Sequence, residues 1–252
     1  MSIEGKVAIV TGAAKGIGRG IAERLASEGA GIAVVDIINA SETIKSITSA
    51  GGKAQAFIAD VSKEDEVTSV VADIEKKLGP CEIMINNAGL HPNPPTLIED
   101  MTFEAWNKMM RVDLDSMFLF NRAVIPGMKK KQWGRIINFS SAVVDAIVPP
   151  GAAHYIAAKA GAVGLTRGLA TELGDDNITV NSVAPGTVDT PGVETDDPEN
   201  PKAVLMAATE AQTIKKVTKP SDIAAAVSYL TSEEAELVTG QVIHVDGGST
   251  RT

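Results

Sequence analysis

The stretch Lys6–Arg19 constrains the fold more tightly than any other part of the chain. Val7-Ala8-Ile9-Val10 is a short run rich in branched apolar residues, the pattern of a strand buried on both faces. It breaks at Gly12, and a helical pattern runs from near Ile17 through Ala22, Leu25 and Ala26 to a stop at Gly29. Strand, glycine turn and helix together aim backbone N–H groups and the positive end of a helix dipole at an anion. In that reading Gly12 permits the turn, Gly16 lets backbone approach a phosphate, and Gly18 lets the helix pack close on the strand. The spacing is Gly-x-x-x-Gly-x-Gly, not the usual Gly-x-Gly-x-x-Gly, and alone an ordinary tight loop is the lesser reading of it.

The next strand adds weight. Gly31-Ile32-Ala33-Val34-Val35 ends in Asp36, eighteen residues after Gly18. A carboxylate there can accept hydrogen bonds from the ribose hydroxyls of an adenosine half and would repel a 2′-phosphate. Asp36, followed by Ile37 and not by a cation, therefore favours NAD over NADP. Lys15 in the turn points the other way, but it lies further from the expected ribose.

Strand-like runs and helical patterns then alternate along the chain. The later strands are Ala54–Ile58, Glu82–Ile85, Arg135–Phe139, Ile178–Val183 and Val242–Val245, and helical patterns cover 40–50, 63–77, 102–131, 153–174 and 220–231. This order predicts an α/β fold, a doubly wound parallel sheet of about seven strands with helices on both faces. No linker or low-complexity tract divides the chain, so residues 1–252 read as a single domain. Ligands bind such sheets at the carboxyl ends of the strands. Chemistry-bearing clusters gather there: Asp60-Val61, Asn86-Asn87-Ala88-Gly89, Ser140-Ser141 and Pro185-Gly186.

A formal charge of −9 argues against a nucleic-acid or anionic membrane surface. Lys129-Lys130-Lys131 reads as a solvated helix end. No apolar run approaches ~18 residues and no signal-peptide pattern is present, so a cytoplasmic protein is expected. Cys81 has no partner cysteine and reads as a buried apolar residue. No His, Cys or Asp set has metal-ligand spacing, and Ser141 lacks a nucleophile elbow.

Tyr155 and Lys159 lie four apart on the helical pattern 153–174, hence on one face, fourteen residues and more after Ser141. An isolated pair of this kind reads as an exposed aromatic beside a solvated lysine. Here the neighbours Ala157, Ala158, Ala160, Gly161 and Ala162 are small, as close packing requires. A nearby ammonium stabilises phenolate and draws a tyrosine pKa from ~10 toward working pH. Such a phenol can exchange a proton with an alcohol or carbonyl oxygen, and Ser141 can hold that same oxygen.

Thr11–Gly18, Asp60-Val61, Asn86–Gly89, Ser140-Ser141, Tyr155-x-x-x-Lys159, Pro185-Gly186 and Val245–Gly248 occur in the order and spacing of the short-chain dehydrogenase/reductases. The chain resembles that family over essentially its whole length. The resemblance implies a Rossmann-like fold, Tyr155 as acid/base, Ser141 on the substrate oxygen, and Lys159 on the nicotinamide ribose. It implies an NAD site lined by Gly12, Ile17, Asp36, Asp60, Val61, Asn87, Val188 and Thr190, with Ala88, Gly89, Pro185 and Gly186 beside them. It also implies a homotetramer built partly through 102–131 and 153–174. At the position of the family's catalytic Asn this chain reads Val112-Asp113-Leu114. Asp113 has the shape of Asn but, ionised, only accepts hydrogen bonds. It is either a fourth member of the catalytic set that favours Lys159 as a cation, or a helix-internal isostere.

Within the family, Asn121–Ser141 is similar to 1-phenylethanol dehydrogenases, and His154–Gly174 is similar both to those and to pyridoxal 4-dehydrogenases. The substrate side is expected from Leu90–Pro95 with His91, and from a lid over 187–213 carrying Thr187, Asp189, Asp196, Asp197, Glu199 and Met206. Val143, Val144, Ile147 and Val148 would give an aliphatic wall suited to a small alcohol or ketone. His154, about 100° around the helix from Tyr155, reads as structural or surface. The readings carried forward are an NAD-dependent alcohol dehydrogenase or ketoreductase, a 3-oxoacyl thioester reductase, and an NAD(H)-sensing binding protein without turnover.

Overall fold

Seven parallel strands hydrogen-bond in the order β3-β2-β1-β4-β5-β6-β7 in the computed structural model, which describes residues 3–146, 148–191, 193 and 202–251. They are β1 (Val7–Thr11), β2 (Gly31–Asp36), β3 (Lys53–Ile58), β4 (Ile83–Asn86), β5 (Gly134–Phe139), β6 (Ile178–Pro185) and β7 (Val242–Val245). The helices are α1 (Gly16–Ser27), α2 (Ser41–Ser49), α3 (Glu64–Leu78), α4 (Phe103–Met110), α5 (Ser116–Lys131), α6 (Ala153–Leu173), α7 (Ala203–Ala211) and α8 (Pro220–Thr231).

Alternation along each central strand feeds two separate cores. Ala8, Val10, Ile32, Val34, Ile83 and Ile85 pack against Ile21 and Leu25 of α1 and Ile223, Val227 and Leu230 of α8. Val7, Ile9, Ala33, Val35 and Met84 turn the other way, onto Val67, Val71 and Ile74 of α3 and Phe120, Val124 and Met128 of α5. Burial on both faces explains why these strands are near-continuous apolar runs. Cys81 is fully buried among the second set, and its burial pushes the thiol pKa far up, so it behaves as a small apolar residue.

Local chemistry sets the helix ends. Thr102 caps α4 by accepting from Ala105 N at 3.1 Å, and α8 opens on Pro220 with Asp222 accepting from Lys219 N at 2.8 Å. Lys129, Lys130 and Lys131 close α5, where cations oppose the helix dipole favourably.

The pattern 102–131, read from sequence as one helix, is divided. Arg111–Asp115 forms a π turn between α4 and α5. The extra residue in that turn rotates the helix face, and Asp113 lands fully buried. The sheet's order reverses between β1 and β4, and the carboxyl ends of those two strands frame the crevice where this architecture takes ligands.

Candidate active site

The glycine turn after β1 is built by close approach. Gly12 sits at φ +64°, and a Cβ there would lie 2.8 Å from Ala88 Cα. At Gly18 a Cβ would lie 2.3 Å from the Gly12 oxygen and 2.6 Å from Asn87 Nδ2, so only glycine lets α1 start against the turn. Gly16 also adopts a left-handed φ of +62°. Asn87 braces this turn, its amide donating to the carbonyls of Thr11 and Gly12 at 2.8 and 3.1 Å. Thr43 of α2, which sequence reasoning passed over, is buried beneath it and donates to the carbonyls of Ala13 and Ala14. No spacing rule marks Thr43, because the contact exists only once α2 folds back over the turn.

A cleft of about 880 Å³ opens from this turn along the sheet edge. Gly12, Lys15, Gly16, Ile17, Gly18, Asp36, Ile37, Asp60, Val61, Asn87, Ala88, Gly89 and Thr190 all line it. Asp36 at the end of β2 accepts from Ala14 N at 2.9 Å and from Ile38 N at 3.2 Å, which fixes its carboxylate at the cleft rim. Asp60 is braced by Ser62, whose hydroxyl donates to it at 2.6 Å; that bond, helped by Lys63 against partial burial, holds its carboxyl below the usual range. The cleft extends onto α4 through Phe103, Asn107 and Lys108 and onto Arg111 of the turn that follows it, which the sequence did not single out.

Other expected residues stand elsewhere. Pro185 ends β6 in the interior, Gly186 packs under Asp246, and Val188 is buried in the core beside a bridge to Thr218. Thr187 is half-buried just before it, and Met206 is exposed on α7. Ile147, Asp196, Asp197 and Glu199 lie outside the described residues. Among the described lid residues, Lys202 pairs with Asp189 at 2.9 Å and so ties the start of α7 to the loop after β6.

Ser141, Tyr155 and Lys159 do not line the cleft, and Lys159 stands directly behind Gly89 of its wall. A Cβ on Gly89, itself a cleft residue, would lie 3.2 Å from Lys159 Nζ and 3.0 Å from Asp113 Oδ2. Lys159 is 4% exposed and donates from Nζ to the Phe139 carbonyl at 3.1 Å, at the end of β5. Its ammonium lies 5.6 Å from the centre of the Tyr155 ring. Ser141, just past β5, is buried, and its hydroxyl accepts from Val143 N at 3.4 Å, opening a short 3₁₀ turn over Ala142–Val144. Val143 is half-buried on that turn.

Asp113 completes the group. Its Oδ1 accepts from Leu90 N at 2.8 Å and its Oδ2 lies 3.0 Å from Lys159 Nζ. Burial alone would depress the Lys159 pKa, but the charge of Asp113, with a smaller contribution from Tyr155, reverses that and leaves it raised. The His91 ring is tilted over Tyr155 with centroids 5.7 Å apart, and His154 is buried one residue before Tyr155. Burial pushes both imidazoles below their usual range, with Asp113 opposing the shift in each. Among the described residues, no three His, Cys, Asp or Glu side chains are placed to hold a metal ion.

A family model described as enoyl-(acyl carrier protein) reductase matches residues 12–250. The chain belongs to the short-chain dehydrogenase/reductase family. It is 36% identical over 250 residues to a 3-oxoacyl-[acyl-carrier-protein] reductase FabG of Thermotoga maritima, covering 98% of this chain and 99% of that one. A FabG of Escherichia coli is 38% identical over 249 residues, covering 98% of each chain. Among solved structures, a mutant short-chain dehydrogenase/reductase of Serratia marcescens superposes with a TM-score of 0.90 at 33% identity, covering all of both chains. As a short-chain dehydrogenase/reductase this chain is an oxidoreductase acting on CH–OH groups, and the family works with nicotinamide cofactors. Its turn fits one: Gly12 and Gly18 allow the close packing that holds the turn against α1, Gly16 takes a left-handed φ, and the turn lines the cleft where helix α1 begins, a position suited to a pyrophosphate.

Proposed function

We propose that this chain interconverts a small secondary alcohol and its ketone, with NAD(H) as the hydride carrier and Tyr155 as acid/base. The observation that carries the reading is the buried Lys159 ammonium, anchored on Phe139, set 5.6 Å from the Tyr155 ring and standing behind Gly89 of the cleft wall. The bound nicotinamide supplies the hydride. The protein's part is positional and electrostatic. Tyr155, next to the Lys159 ammonium, is the group that would give a proton to a carbonyl oxygen in reduction and take it back in oxidation. The Ser141 hydroxyl holds the same oxygen. Val143, Val144 and Val148 supply an apolar wall that excludes water and favours an uncharged substrate, aromatic or cyclic by size.

Asp36 supports NAD over NADP, since its carboxylate, held at the cleft rim by Ala14 N and Ile38 N, would repel a 2′-phosphate and nothing cationic follows it at Ile37 and Ile38. The second reading is a 3-oxoacyl-[acyl-carrier-protein] reductase, which the names of relatives at 36–38% identity favour over the first. One panel separates the two: aryl ketones, pyridine aldehydes and 3-oxoacyl thioesters, each with NADH and NADPH. Turnover of ketones with NADH supports the first reading. A clear preference for thioesters with NADPH replaces it by the second. Tyr155→Phe is expected to bind NADH normally while turnover falls by on the order of 10²-fold or more. Unchanged turnover removes Tyr155 from the mechanism, and undetectable turnover of the unaltered chain on every substrate leaves nucleotide sensing.

The same reading proposes a cytoplasmic homotetramer. Phe118 on α5, 48% exposed, is the apolar side chain a neighbouring copy would cover. Among the described residues, no helix is long and apolar enough to cross a membrane.

A further inference from the structure

Asp113 carries a charge that hydrogen bonding alone does not require. Its one well-aligned bond, to Leu90 N at 2.8 Å, would be accepted equally by an amide oxygen. Its Oδ2, fully buried and 3.0 Å from Lys159 Nζ, is out of line for a hydrogen bond and has no other partner. What a carboxylate adds here over an amide is negative charge beside a buried ammonium, and such a charge persists in the interior only when paired.

The surroundings leave that charge to act on one neighbour. Lys159 Nζ also lies 5.6 Å from the centre of the Tyr155 ring. From the loop after β4, His91 faces the pair, and from the start of α6, His154; burial keeps both imidazoles neutral near pH 7. Ser141 and the Phe139 carbonyl approach from β5 without charge. Arg111 and Asp115, flanking Asp113 on its own turn, are exposed and of opposite sign.

We propose that Asp113 is a positioning residue that sets the working pH of the reaction: as counter-charge to Lys159 it places Tyr155 beside an ion pair instead of a free cation, so phenolate forms at higher pH than it would with an amide at this position. The inference rests on the hydride-transfer reading for its kinetic consequence, though not for its electrostatics. Oxidation needs the phenolate and speeds up as pH rises through the tyrosine's titration. Reduction needs the phenol hydroxyl and slows through the same range. Both limbs therefore move together when the counter-charge is removed.

The test is Asp113→Asn in the full chain with NAD bound. The amide oxygen can keep the bond from Leu90 N, and the Phe139 carbonyl still accepts from Nζ. The limb of the kcat profile is expected to move down by about one pH unit, as one lost unit charge at this range implies. Asp113→Glu, which keeps the charge, is expected to return the limb to its original place. A purely structural role lowers kcat at every pH and moves no limb. A substrate-free measurement separates this inference from the reaction itself. Tyr155 and Tyr229 are the only tyrosines, so Tyr229→Phe leaves Tyr155 as the sole source of tyrosinate absorbance. In that background Asp113→Asn must titrate about one pH unit lower. If Asp113→Asn does not fold, Asp113→Ser replaces it with the same expectation. A midpoint that stays put or rises in the folded variant overturns the proposal, whether or not a substrate has been found.

Discussion

At position 18 the absence of a side chain is a structural requirement, because the space a methyl group would take is held by the Gly12 carbonyl and the Asn87 amide. Gly18→Ala is therefore expected to destabilise the chain by about 1–3 kcal/mol through overpacking. Displacing the turn should also weaken NADH binding by roughly tenfold or more, as about 1.4 kcal/mol lost at the cradle implies. Thermal denaturation and the fluorescence of bound NADH measure the two effects, and a Gly18→Ala variant that binds NADH normally would remove the turn from the site. At Asp36 the expectation concerns preference. Asp36→Ser removes the charge that opposes a 2′-phosphate, so the ratio of kcat/KM for NADPH over NADH is expected to rise by about tenfold or more. The glycines, Asp36, Tyr155 and Lys159 were legible in sequence because each stands at a fixed offset from a strand or helix end. Thr43, and the bond from Ala14 N to Asp36, were not, since both join segments separated by more than twenty residues.

Among elements, the strands were the most legible. Each is a short apolar run between turn residues, and the seven expected from sequence agree with β1–β7 to within a residue or two at most ends. The π turn at Arg111–Asp115 was hidden for a physical reason. A one-residue slip of phase leaves the apolar pattern on either side intact, so α4 and α5 read as one helix. A second hidden feature is the polar contact within the sheet's interior. Asn86 of β4 donates to Asn121 of α5 at 2.8 Å and to Asn138 of β5 at 2.9 Å, and Asn138 donates to Thr166 of α6 at 3.0 Å. These side chains are buried and satisfy one another. Asn138→Ala removes one of the two acceptors of the Asn86 amide and the donor to the Thr166 hydroxyl, at about 1–3 kcal/mol for each polar atom left unpaired. Urea denaturation should show a matching fall in midpoint at unchanged slope. A loss under about 0.5 kcal/mol would mean the cluster repairs itself.

For the whole molecule, the chain's end is tied to the sheet through Asp246. Burial raises the pKa of this carboxyl, but donors from Thr250 and Gly248, with His244 nearby, outweigh it and hold it below the usual range. A lowered folded-state value means that Asp246 contributes stability above the unfolded carboxylate range and loses it as pH falls through the folded value. The wild type is therefore expected to exceed Asp246→Asn in melting temperature near pH 6 and to converge with it below about pH 3. Parallel curves across that range would detach the tail from acid stability. Assembly has its own measurement: sedimentation should report four chains, and Phe118→Glu on α5 should shift that mass downward.

The reversal of strand order between β1 and β4 has a thermodynamic corollary. Everything that would grip adenosine belongs to the first three strands and their helices, whereas the proton-handling side chains are carried by β5, α6 and the turn before α5. A dinucleotide long enough to reach both would act as a rivet between two halves that also meet through the β1–β4 hydrogen bonds and the packing of α1 on α8 and of α3 on α5. Saturating NADH at a hundred times its dissociation constant should then add about 2.7 kcal/mol, and hydrogen exchange should slow on both sides of that seam, with AMP alone protecting only the first.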